Sequence, residues 1–254
     1  MSNQAGLTGV TITSAGCKLP GALYRAGGAG PHPTAIVLHG IPGLEKNTDI
    51  AYALRDAGWN ALIFHYRGCW GGEGDYTLAG IPDDVRAAVD TLLSGEFGVD
   101  AGRVALIGHG LGGWAAVVAA SRDPRIRAVV TMGGMSNLRT MSLKDRDAAD
   151  YSRFLRNITG KGIQSQWRAL EWTHNPVDVV ELLHPCRLLI VHGTADEVAP
   201  LSQATELKNR SGDAAEMVLL PGADHVFSQH RTSLVDTVVR WLKTELERNR
   251  QLLT

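Results

Sequence analysis

The sequence predicts an α/β fold, a mainly parallel sheet covered by helices on both faces, and three observations carry that prediction. Strand-like and helix-like segments alternate through most of the chain, which is the signature of parallel strands joined by crossover helices. Three of the strand-like runs are apolar throughout, as strands buried on both faces are. Each of those runs also ends in a loop rich in glycine. The 254 residues are 44% hydrophobic and carry a formal net charge of -1. That is enough chain for one large core, and too even a charge balance for a nucleic-acid partner.

In chain order, Val10 to Ser14 and Lys18 to Arg25 flank Ala15-Gly16 and predict a hairpin, so the sheet begins antiparallel. The apolar runs Thr34 to Leu38, Ala61 to Phe64 and Val104 to Ile107 predict buried strands. Between them, Asn47 to Ala57 and Asp83 to Leu93 space apolar residues as helices do, the second with Asp83 and Asp84 near its positive end. Trp114 to Ala120 reads as a buried helix. Further strands are expected at Ala128 to Met132, Arg187 to Val191 and Met217 to Leu220, with a closing amphipathic helix from Thr232 to Glu247. This makes a sheet of about eight strands. The stretch 135–185 carries Trp167 and Trp172 on helical patterns, and is far longer than the ~2–6 residues usual for a connection in such units. It is expected to be a small helical cap, leaving 1–134 and 186–254 as the core domain.

Cys17, Cys69 and Cys186 are scattered without a C-x-x-C pair and the histidines are dispersed, so free thiols, no metal and no cofactor are expected. Met1 to Gly9 is polar and no run approaches membrane-spanning length, so cytoplasmic residence without a membrane partner is expected.

The chemistry concentrates in loops that follow strands. Gly108-His109-Gly110-Leu111-Gly112 lies between a strand and a helix, the setting of a G-x-S-x-G nucleophile elbow, but glycine holds the apical position. Small neighbours suit such a turn, because strand and helix must approach closely and the apical residue takes positive φ. A lone G-x-G-x-G also fits a tight turn or a nucleotide loop; a dinucleotide fingerprint, however, opens the first strand-helix unit rather than a middle one. Asp196 follows the strand ending in Val191-His192-Gly193 and is the candidate orienting acid, with capping of the helix after Pro200 as the plain alternative. His225, in Pro221-Gly222-Ala223-Asp224-His225, follows the last strand and is the candidate general base; His230 reads as an ordinary loop residue. The order of nucleophile position, acid and base is the one this mechanism uses on an open α/β sheet. His39-Gly40-Ile41-Pro42-Gly43 follows the third strand, so the backbone N–H groups of Ile41 and Leu111 are the candidate oxyanion donors.

Together with Tyr66-Arg67-Gly68-x-x-Gly71, these motifs resemble the α/β-hydrolase superfamily, especially its esterases and its relatives of the prolyl-oligopeptidase and acylaminoacyl-peptidase type. The resemblance covers nearly the whole chain outside 135–185. It implies an eight-stranded sheet, a lid after the sixth strand, and a serine, aspartate and histidine triad that falls on Gly110, Asp196 and His225. It also implies a carboxylesterase-like activity on a small ester or amide. Three readings of Gly110 follow: a serine exchanged by experiment in an otherwise complete enzyme, a natural pseudo-hydrolase that binds a small ligand without turnover, or a nucleophile elsewhere, such as Ser136 or Cys69. His109, Cys69, Trp70, Trp167 and Trp172 are the candidate substrate contacts, with Phe154 and Met141 as further apolar wall. Five arginines in the cap stretch are largely offset by Asp145, Asp147, Asp150 and Glu171, which fits a solvated helix face.

Overall fold

The computed structural model describes residues 4–183 and 185–251, with the backbone alone described for 246–251. Met1 to Asn3 of the polar N-terminal stretch thus lie outside the described residues. Gly6–Ser14 (β1) and Cys17–Arg25 (β2) pair antiparallel from Ser14↔Cys17 outwards. The turn between them puts Ala15 at φ 47° and Gly16 at φ 79°, the two positive values a two-residue hairpin turn requires.

The remaining strands are His32–Leu38 (β3), Asn60–Phe64 (β4), Val99–His109 (β5), Ile126–Met132 (β6), Arg187–Gly193 (β7) and Ala215–Leu220 (β8). They assemble in the order β1-β2-β4-β3-β5-β6-β7-β8, parallel from β4 onwards. β5 starts five residues before the expected Val104, because Val99 pairs with His32 across a register shift.

Thr48–Asp56 (α1) and Arg231–Gln251 (α8) cover one face of the sheet. Ile81–Leu92 (α2), Leu111–Ala120 (α3) and Leu201–Ser211 (α7) cover the other. The period of two in the strands assigns side chains to these layers. Ile36, Leu38, Val104, Leu106, Leu188 and Ile190 face α2 and α3, whereas Ala35, Val37, Ala105, Ile107, Leu189 and Val191 face α1 and α8. Every one of these residues is buried, which is why the runs show no polar alternation. α3 is buried along its whole length, and its sequence of small and apolar residues leaves no polar face to solvate.

Between β6 and β7, Asp145–Ser152 (α4), Gly160–Leu170 (α5) and Pro176–Val179 (α6) form the helical stretch. Leu138, Ile163, Trp167, Leu170 and Val177 are buried there and continue the core on the α3 side of the sheet. The spacing of Ile163, Trp167 and Leu170 puts them on one helix face, so this face of α5 packs inward.

Candidate active site

The six parallel strands deliver six loops to one edge of the sheet, the carboxyl edge where ligands collect in open α/β folds. A cleft of ≈ 440 Å³ opens there, lined by Ile41, Leu44, Glu45, Gly110, Leu111, Met135, Tyr151, Val198, His225 and Val226, among others.

Gly110 sits at the apex between β5 and α3 with φ 55° and ψ -117°. Only a turn this sharp lets α3 fold back on its own strand. Its neighbours are glycine for lack of room: a Cβ at Gly108 would collide with the Gly112 carbonyl, and one at Gly112 with the Leu38 carbonyl. The apex is held by the Gly110 N–H donating to the Met132 carbonyl at 3.0 Å, and by the Gly110 carbonyl accepting from Gly113 at 3.0 Å and Met135 at 3.2 Å. A Cβ built on Gly110 points at the imidazole of His225, 3.1 Å from Nε2 and 3.4 Å from Cε1.

His225 is joined at its other nitrogen to Asp196, with Nδ1 to Oδ2 at 2.8 Å. The Asp196 side chain is fully buried and that of His225 is 16% exposed. The second Asp196 oxygen, Oδ1, accepts from the Val198 N–H at 2.9 Å and the Ala199 N–H at 2.8 Å. The carboxylate therefore both ties its own turn and faces the imidazole. Because a buried carboxylate accepts at Nδ1, that nitrogen carries the proton and Nε2 presents its lone pair to the cleft. The β7 and β8 loops are laced together by Thr194 N–H to the Leu220 carbonyl at 3.1 Å and Ala195 N–H to the Ala223 carbonyl at 3.0 Å.

Three other histidines, at the carboxyl ends of β3, β5 and β7, are buried neutral rings. His109, 4% exposed, donates from Nε2 to the His225 backbone carbonyl at 2.8 Å. Burial first, and the neighbouring His225 ring second, push its pKa down to about 4. His192 lies 3.7 Å from Asp196 Oδ2 but spends its Nε2 proton on the Ala199 carbonyl at 2.8 Å, and burial lowers its pKa. His39, 1% exposed and pushed down to about 3 by burial, donates from Nδ1 to the Gly40 carbonyl at 2.8 Å.

Leu111 is the first residue of α3, so its N–H has no partner within the helix, and the residue lines the cleft together with Ile41. The loop carrying Ile41 is braced from behind. Trp70 Nε1 donates to the Pro42 carbonyl at 2.6 Å, and Lys46 Nζ stands 4.1 Å over the Trp70 ring.

Of the residues singled out in the sequence, Gly110, His225, His109, Ile41 and Leu111 line the cleft, with Asp196 directly behind His225. Four expected contacts lie elsewhere. Trp70 braces the Pro42 loop and stacks on Phe154 at 5.5 Å. Cys69 is buried, its thiol pushed up to about 12 by burial. Trp167 is buried in the core, and Trp172 is 76% exposed beside Arg139. Ser136 is also buried, its hydroxyl donating to the Gln203 carbonyl at 2.6 Å, which leaves neither Ser136 nor Cys69 placed as a nucleophile in the cleft.

Sequence reasoning missed Gly133, at the end of β6. Its φ is 53°, and a Cβ there would lie 3.0 Å from Asp196 Oδ2 and 3.2 Å from His225 Nδ1. The signal available was a glycine pair directly after an apolar strand. Met135, Tyr151 and Glu45 were missed as lining residues because they carry no periodic or motif signature. Among the described residues no group of three or more His, Cys, Asp or Glu could hold a metal ion. No helix among them is long and apolar enough to cross a membrane.

The eight-stranded sheet, its strand order and the loops at its carboxyl edge define the α/β-hydrolase fold. Residues 48–249 match the prolyl oligopeptidase family, and the chain belongs to it. The uncharacterized protein YfhR of Escherichia coli O157:H7 is 25% identical over 194 residues; these are 76% of this chain and 63% of the relative, so the chain spans under two thirds of that protein. Among solved structures, Est1E from Butyrivibrio proteoclasticus with ferulic acid bound superposes with a TM-score of 0.77 at 21% identity, over 94% of this chain and 99% of that one. The 2,6-dihydroxy-pseudo-oxynicotine hydrolase superposes with a TM-score of 0.75 at 22% identity, over 95% and 68%.

Proposed function

We propose that the cleft is the active site of a serine-type hydrolase for a carboxylic ester or amide, carried in this chain without its nucleophilic hydroxyl. One observation carries the reading: the missing side chain of Gly110 points at Nε2 of an imidazole whose other nitrogen is held by a buried carboxylate. Family membership and the hydrolases among its structural neighbours support the same reaction class.

With a serine at position 110, the hydroxyl attacks the carbonyl carbon and passes its proton to His225 Nε2. Asp196 holds the ring and stabilises the imidazolium. The oxyanion is received by the N–H groups of Leu111 and Ile41. His225 then returns the proton to the leaving alcohol or amine, and water reverses the sequence to free the acid. In this reading 135–185 acts as the cap, contributing Met135 and Tyr151 to the cleft. The apolar lining suits an uncharged acyl or aryl group.

In this chain the covalent route is closed. A water held by His225 can attack directly, and removal of triad members elsewhere leaves roughly 10³–10⁴-fold catalysis over water from binding and the oxyanion hole. The rival reading, a binding protein without turnover, draws on Gly110 itself. Treating the chain and its Gly110→Ser variant with a fluorophosphonate separates the two. The hydrolase reading expects labelling in the variant alone and ester or amide turnover far above the slow water route of the chain; a variant that is neither labelled nor active leaves the binding protein.

A further inference from the structure

The lining of the cleft is apolar but for one acidic side chain at its wall. Among the described residues that line it, Glu45 is the one carboxylate, and none is a lysine or an arginine. We infer that Glu45 receives an ammonium group, and that the site takes esters or amides whose alcohol or amine half ends in a primary amine. The inference rests on the reading of the cleft given above, in which the acyl or aryl group is uncharged, and adds to it the chemistry of the leaving half.

Glu45 is held for this task by its own loop. Its Oε1 accepts from the Asn47 N–H at 2.7 Å, which leaves Oε2 without a hydrogen bond from the described residues. The cations nearby are held elsewhere. Lys46 Nζ stands over the Trp70 ring, and Arg231, which donates to Asn47 Oδ1 at 3.1 Å, is paired with Asp49. A partly buried carboxylate with no cation beside it is an incomplete pair, and an ammonium brought by a ligand completes it.

Ile41, Leu44, Val198 and Val226 share the lining with Glu45. Apolar walls lower the local dielectric and concentrate the field of a lone charge, which draws in cations and turns away anions. Tyr151 adds an aromatic residue to the same lining, and aromatic faces attract cations as well. The ammonium donates to Oε2 in a hydrogen bond that is charged at both ends, while the methylenes between it and the ester lie on the apolar wall. A volume of ≈ 440 Å³ leaves room for such a spacer beside the reacting carbonyl.

The test compares the butyrate esters of aminobutanol, aminopentanol and aminohexanol with the alkyl butyrates in which a methyl group replaces each ammonium. In Gly110→Ser, kcat/KM is expected to favour the ammonium ester by about tenfold in at least one pair, the scale of a hydrogen bond between charged groups. Adding Glu45→Gln, which keeps an oxygen for the Asn47 N–H, should bring that ratio close to one, and Glu45→Lys should reverse it. No preference in any pair, or a preference that survives Glu45→Gln, overturns the proposal. A second readout needs no turnover: hexylammonium chloride titrated into the chain as it stands, followed by nuclear magnetic resonance, should bind about tenfold more weakly to Glu45→Gln. If Gly110→Ser is labelled by a fluorophosphonate and hydrolyses both members of every pair alike, the ammonium site fails and the hydrolase reading stands. If Gly110→Ser is inert while hexylammonium binds in a Glu45-dependent manner, the hydrolase reading fails and the ammonium site stands. Equal binding to the chain and to Glu45→Gln removes the ammonium site.

Discussion

The imidazole of His225 lies between two glycines, Gly110 at its Nε2 side and Gly133 at its Nδ1 side. Both have positive φ, but they are glycine for different reasons. Gly110 has a slightly crowded opening that a hydroxymethyl group enters with a small shift of the ring. Because a side chain at φ 55° is strained whatever the space, we expect Gly110→Ser to cost about 1–3 kcal/mol of stability, read as a change in urea midpoint. Gly133 has the Asp–His bond in its way. Gly133→Ala combines a strained backbone with a methyl 3.0 Å from Asp196 Oδ2, and should cost about 1–3 kcal/mol. Placed in the Gly110→Ser background, it should also abolish fluorophosphonate labelling; labelling at the undisturbed rate would show that the Asp–His geometry tolerates it. In the same background, Asp196→Asn should lower kcat by about 10⁴, as the equivalent exchange does in a serine protease. Retained turnover would remove Asp196 from the mechanism. Gly110, Asp196 and His225 were legible because each follows an apolar strand in an ordered set of short motifs. Gly133 was not, since its importance arises only when the ends of β6, β7 and β8 are brought side by side.

At the scale of elements, strands were read where both faces are buried and misjudged where they are not. Ile36 to Leu38 announces itself by composition, whereas Val99 to Arg103 is polar, and only its pairing with β3 makes it strand. Composition also misled about the tryptophans of 135–185. A large aromatic residue reports that something is covered, and for Trp167 the thing covered is the core beneath α5 rather than a ligand. Asp84 shows how one helix residue can fasten several elements. It lies in the first turn of α2, as the sequence suggested, but its carboxylate accepts from Ser14 Oγ at 2.6 Å, from Arg67 Nε at 2.6 Å and from the Arg67 N–H at 3.0 Å. The end of β1, the loop after β4 and α2 are thus joined at a group 1% exposed. Asp84→Ala leaves the Arg67 guanidinium, 18% exposed, without its carboxylate, and should cost about 3–5 kcal/mol in denaturant unfolding. A loss under about 1 kcal/mol would mean that solvent reaches this group.

For the molecule as a whole, the buried neutral histidines set a pH dependence. His39 and His109 have folded pKa values of about 3 and about 4 against an ordinary value of 6.5. The unfolded chain therefore binds more protons than the folded one below about pH 6.5, and stability falls as pH falls. Their contribution is complete above pH 6.5, and each ring adds a slope of up to about 1.4 kcal/mol per pH unit on the way down. Urea midpoints should decline steadily from about pH 6.5 towards about pH 4; a flat profile across that interval would show that these rings are charged or solvated in the folded chain. The fold class and the arrangement of the carboxyl edge were legible from the order of apolar runs and glycine loops. Which residues wall the cleft was not, because Leu44 and Glu45 from the loop after β3, Tyr151 from α4 and Val198 from the loop after β7 meet only in the folded molecule. The position of Gly110 also bears on motion. The His225 ring is tethered at Nδ1 by Asp196 and tilted against the His109 ring at 4.7 Å, and on its Gly110 side it meets a residue without a side chain, so rotation about the tether is expected to be less damped than with a serine there. Imidazole relaxation measured by nuclear magnetic resonance should report a more mobile ring in this chain than in Gly110→Ser, which makes order in the catalytic base something the nucleophile itself imposes.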